Sequence, residues 1–205
     1  MTVAEKPRRN VKDRAATEAR ILSAARAVFS ERGYDAAGLR EIAEVAEANL
    51  SLISRYFGGK EGLLTALTDA FVTARREGDL GYPPQDSLEN EIYRYLHAKL
   101  QDDLKDEDII RLIISRAAID STFRAGGAVH MDGKADQNFR DRVRHLQDSG
   151  HVSSGVDIDL LFAAVMNMSF SVNFFGTMIA NRPPDETDRL FKSVARALSQ
   201  GPSFE

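Results

Sequence analysis

Apolar residues in this chain return every three or four positions almost from end to end, and nowhere do they alternate with polar ones over the length of a strand. Ile21, Leu22, Ala25, Val28 and Phe29 share one helical face; Leu63, Leu64, Leu67, Ala70 and Phe71 share another. A chain patterned this way can bury its apolar surface only by packing helix on helix. The expected fold is therefore all-α, with helices over residues 17–32, 39–46, 50–57, 60–77, 87–102, 107–123, 134–149, 157–180 and 184–199. Glycines mark the breaks: Gly33, Gly58-Gly59, Gly78 with Gly81, and Gly150. Thr17 is the expected cap of the first helix.

Charge divides the chain. The net charge is −4, yet residues 1–60 hold 11 Lys and Arg against 8 Asp and Glu, while the remainder holds 16 against 23. A basic head can meet phosphates; an acidic body cannot. Residues 1–16 are charged and without apolar periodicity, which reads as a flexible arm, and they lack the apolar core of a signal peptide. The long apolar stretch 160–180 is interrupted by Asn167, Ser169, Ser171, Asn173 and Thr177, so a doubly buried helix is expected there, and no membrane partner.

Several kinds of chemistry lack their residues. Without cysteine there is no disulfide, no thiolate metal site and no thiol nucleophile, in keeping with a cytoplasmic setting. His97, His130, His145 and His151 form no i, i+4 pair, and neither a phosphate-binding glycine loop nor Gly-x-Ser-x-Gly occurs. No catalytic residue, metal or cofactor is expected, and the chain does not read as an enzyme.

The short helices 39–46 and 50–57 follow each other through a tight turn. With Ile53 pointing inward at 100° per residue, Phe57 and Leu50 join it in a buried stripe. Ser51 and Arg55 then point straight out, Leu52 and Ser54 flank them, and Tyr56 sits on the shoulder. Arg55 has the donors to read a guanine edge, short serines let a helix approach closely, and Leu52 can meet a thymine methyl. Periodicity alone leaves this face open to two readings, a DNA-reading surface or a merely solvated one.

Three blocks in sequence decide between them by resemblance: Ala-x-x-x-Phe-x-Glu-x-Gly-Tyr ending at Gly33-Tyr34, Arg-Glu-Ile-Ala at residues 40–43, and Tyr-Phe-Gly-Gly-Lys-Glu at residues 56–61. The segment from Thr17 to Leu64 resembles the DNA-binding domain of TetR-family regulators. The resemblance implies a helix-turn-helix domain over 17–62 and a helical ligand-binding and dimerisation domain over 63–205. It implies phosphate contacts near Thr17, Arg20, Arg40 and Lys60, and a recognition surface from Asn49, Ser51, Leu52, Ser54, Arg55 and Tyr56. The implied partners are double-stranded DNA, a second copy of the chain, and a small-molecule effector that releases a repressor from a near-palindromic operator. A helical regulator working through protein contacts, without specific DNA binding, is the alternative.

Three positions depart from the family pattern. Glu47 stands where glycine is usual in the turn, Ala37-Gly38 where a hydroxyl is usual before the second helix, and Ser54 where an aromatic is common. In the acidic body, Phe71, Tyr93, Leu96, Leu100, Ile113, Phe123, Phe139, Phe170 and Phe174 can line a cavity or fill a solid core. Arg116, Asn167 and Asn173 are polar interruptions that need partners if buried. The expected pocket draws on these residues. The expected dimer face comprises Phe162, Val165, Met166, Ser169, Asn173, Leu190, Phe191, Val194 and Leu198.

Overall fold

The structure, a computed structural model, describes residues 8–125 and 133–200. Among them every regular element is helical: α1 (Arg8–Arg32), α2 (Leu39–Val45), α3 (Leu50–Phe57), α4 (Lys60–Glu77), α5 (Leu88–Lys105), α6 (Glu107–Ile119), α7 (Ser121–Ala125), α8 (Lys134–Asp148), α9 (Ile158–Phe170) and α10 (Pro184–Gln200). The all-α expectation holds, and side chains not singled out in the sequence cap two of the helices. Ser87 accepts from the Asn90 amide, and Asp157 accepts from the Asp159 and Leu160 amides.

Three boundaries differ from expectation. α1 begins at Arg8, so residues 8–16 are helix rather than arm, and Thr17 lies inside it with its hydroxyl bonded to the Asp13 carbonyl at 2.7 Å instead of capping. The Arg14–Glu18 pair at 2.7 Å and two alanines favour that extra length. The expected helix 107–123 breaks at Asp120, whose carboxylate accepts from the Thr122 and Phe123 amides and so starts α7 as a new N-terminus. Past Phe170, α9 widens into a π-helical stretch, Ser171–Ile179, in which the Ala180 amide reaches back five residues to Phe175.

The described residues form two compact units, one from residues up to 74 together with the segment from 108, the other from residues 75–107 together with the segment from 133. Residue 62, the boundary expected from sequence, falls inside the first. That unit closes α1–α4 and α6 around Ile21, Phe29, Ile42, Ile53, Leu63 and Ile109, and Arg26 holds Asp108 at 2.7 Å. In the second unit α5, α8, α9 and α10 enclose Tyr95, Phe139, Phe162, Val165 and Phe191. Two buried acids organise much of its polar interior. Glu91 takes the Tyr82 hydroxyl at 2.8 Å and the Gln85 amide at 2.9 Å, and Asp136 takes the Tyr95 hydroxyl at 2.5 Å. Burial and these carboxylates push both phenols well above their usual range.

Candidate nucleic-acid interface

The first unit positions α3 by locking one side of it and freeing the other. Ile42, Ala43 and Ala46 of the α2 region are buried, and the Ala48 amide returns to the Ala43 carbonyl at 2.9 Å, which closes the turn. Glu47 makes that turn with φ 48°, the left-handed conformation glycine supplies freely. Gly38 caps α2 without any side-chain hydrogen bond, so the missing hydroxyl is missing in structure too. Asn49 then starts α3, its carbonyl oxygen accepting from both the amide and the hydroxyl of Ser51 at 2.8 Å. Gly58, at φ 74°, ends the helix.

Ile53 is fully buried, and Ser51, Ser54 and Arg55 are exposed as expected. The buried sector is rotated from the expected one. Leu50 is 38% exposed rather than inward, while Leu52, Tyr56 and Phe57 pack partly buried against the core. Leu52, Tyr56 and Phe57 pack on the first unit's apolar core, and the Arg14 guanidinium of α1 stands 4.9 Å over the Tyr56 ring. Leu52 therefore has a packing role that makes an exposed leucine unnecessary, and Leu50 takes its place on the outer face.

Arg20 and Arg40 are exposed and carry no ion pair among the described residues. Lys60, at the start of α4, donates to the Asp35 carbonyl at 2.9 Å and lies 4.7 Å over the Tyr34 ring. Arg116 covers the same ring at 4.5 Å and reaches Asp120 at 2.6 Å. Burial raises the Tyr34 phenol pKa, and the Arg116 charge works against that rise. Tyr34 thus joins the α1–α2 loop to α4 and α6 within one unit. Sequence reading missed this role, although Tyr34 stood in a motif already singled out. It also missed Gly62, where a Cβ would lie 1.6 Å from the Phe57 carbonyl oxygen. Only glycine lets α4 start this close to the end of α3.

The expected pocket residues do not gather. Phe71, Ile113 and Phe123 belong to the first unit's core, and Arg116 is committed to Tyr34 and Asp120. Leu96, Leu100 and Phe139 fill the second core, Tyr93 donates to Asp188 at 2.7 Å, and Phe174 is buried. Asn167 and Phe170 are exposed, the Asn167 amide donating to its own helix at Ala163. The residues of the expected dimer face turn inward within the single chain. Phe162, Val165, Ser169, Asn173, Phe191 and Val194 are buried in their own unit, and Met166, Leu190 and Leu198 pack against that core. Asn173 donates to Asp103 at 2.7 Å. The uncovered face of α9 and its π-helical continuation carries Leu160, Ala163, Asn167, Ser171, Phe175 and Ile179 instead. The helix was expected to be doubly buried, yet less than half of its most apolar window is covered.

Comparison with known proteins places this geometry. The sequence profile of the bacterial regulatory proteins of the tetR family matches residues 21–67, from the middle of α1 into α4. The HTH-type transcriptional repressor AcnR of Corynebacterium efficiens is 31% identical over 143 residues, spanning 69% of this chain and 71% of AcnR. The chain belongs to the TetR family. AcnR of Corynebacterium glutamicum matches to the same extent. A TetR-family regulator of known structure from Mesorhizobium loti superposes with a TM-score of 0.66 at 20% identity, covering 90% of this chain and 96% of that one, which establishes a shared fold. This TetR-family chain is a DNA-binding regulator of transcription, and α2 and α3 are its helix-turn-helix.

Proposed function

We propose that the chain is a repressor that binds a near-palindromic operator as a homodimer and lets go when a small molecule binds its second unit. The observation that carries the DNA half is α3. One residue, Ile53, is fully fixed in the core while Ser51, Ser54 and Arg55 stand outward on the opposite side. In this reading Arg55 reads a base edge and Tyr56 flanks it. Asn49 and Ser51 fix the start of the reading helix, and Thr17, Arg20 and Arg40 line the phosphates. Lys60 spends one ammonium hydrogen on Asp35 and has two more donors to offer a phosphate. The relatives named AcnR are repressors, which supports the same sign of control here.

The exposed apolar stripe of α9 supports the dimer. Leu160 is 70%, Phe175 57% and Ile179 52% exposed, side chains that a second copy would cover by an isologous contact. Pairing would set two α3 helices about 34–36 Å apart, the spacing of successive major grooves. An effector that favours another spacing would release the operator. The test is selection of bound sequences from a random duplex library. One palindromic site should emerge, with affinity falling steeply as salt rises. Failure to enrich any sequence would reject the operator reading in favour of a regulator that works through protein contacts.

A further inference from the structure

We propose that a groove on α5 binds a small aromatic carboxylate, with Arg94 as the anchor of its anionic group. The groove, half open to solvent, has a volume of about 540 Å³ and lies wholly within the second unit, between residues 79–82 and one face of α5. That volume falls inside the usual range of small-molecule sites. Its depth has a cause in sequence. Arg94, Ala98, Gln101 and Lys105 succeed one another on one helical stripe, and Ala98 is the short residue in the middle, facing a connector that contains Gly81.

The walls are rings whose polar tips are already held. Tyr82 donates to Glu91 at 2.8 Å, Tyr93 donates to Asp188 at 2.7 Å, and His97 Nε2 meets the same Asp188 at 3.1 Å. Tyr93 and His97 meet edge to face at 4.6 Å, so the rings hold one another in place and give the groove an aromatic side. The charges on the wall are unequally satisfied. Asp79 accepts from the Leu80 amide and Asn138, both at 2.7 Å, and Asp102 is paired with Lys105 at 2.9 Å. Arg94 has no acidic partner among the described residues; its contact is the Tyr82 ring, 5.6 Å away. The other guanidinium on that ring, Arg142, is occupied by Glu91 and the Tyr82 carbonyl. The groove therefore offers one spare positive charge beside an aromatic wall, the complement of an aromatic acid.

As a binding site this stands apart from the repressor reading; as the effector site it rests on that reading. The test is calorimetric titration of the full chain with 4-hydroxybenzoate and, in parallel, with the uncharged 4-hydroxybenzamide. The acid should bind at least about tenfold more tightly than the amide, and Arg94→Gln should remove about that factor for the acid alone. Ala98→Leu, which fills the groove, should abolish both. Circular dichroism and DNA affinity of the Arg94→Gln chain should match the parent, since Arg94 lies on α5. No binding of the acid up to about 10 mM, or equal binding by Arg94→Gln, overturns the site. Binding that depends on Arg94 but leaves operator affinity untouched keeps the site and rejects only its role as the effector switch.

Discussion

Glu47 and Gly62 flank the reading helix, the first strained in its backbone and the second fixed by a lack of space. Glu47 holds φ 48° with a side chain that opposes it, so Glu47→Gly should stabilise the chain by about 1 kcal/mol, read as a raised Tm. Gly62 has no room for a methyl group against the Phe57 carbonyl, and Gly62→Ala should cost about 3 kcal/mol in denaturant unfolding. Equal Tm values for the two variants would contradict both assignments. In the second unit Asp188 shows charge at work on an open surface. Hydrogen bonds from Lys192 first, then Tyr93 and His97, lower its pKa to about 2. A carboxylate lowered on folding contributes stability above its ordinary range, and that contribution is lost as pH falls through about 2. NMR titration should find that midpoint in the parent chain and find it moved up toward about 4 in Lys192→Met. A parent midpoint already near 4 would show that the cluster does not form.

Among the elements, α9 with its π-helical continuation is where sequence and structure part most. The sequence shows a helix apolar on every side and cannot say which side faces inward, because apolar periodicity has no contrast to read. The structure turns Phe162, Val165 and Asn173 inward and leaves Leu160, Phe175 and Ile179 out. The widening at Ser171–Ile179 shifts the register of everything beyond it, which no count at 100° per residue anticipates. Phe175→Glu should convert a dimer to monomer in sedimentation equilibrium, weakening association at least about 100-fold, with Tm of the monomer little changed because Phe175 is not part of its core. A dimer unaffected by Phe175→Glu would move the interface elsewhere.

For the whole molecule, the all-α class and the helix-turn-helix were legible because glycines and helical periodicity agree there. The length of α1 was not, since the charged stretch before Thr17 shows no apolar face to mark it as helix. The pocket residues were not legible either. Phe71, Ile113 and Phe139 look alike as apolar positions, yet the first two belong to one core and the third to another. Arg116 looked like a buried ligand contact and is a partner of Tyr34, a pairing across 82 positions that spacing cannot reveal. In the proposed complex α3 reads bases through Arg55. Fluorescence anisotropy can compare the parent chain and Arg55→Ala on a selected operator and on a scrambled duplex of equal length. Arg55→Ala should lose about 10- to 100-fold on the operator with little change on the scrambled duplex. Equal affinities of the two proteins for the operator would contradict it.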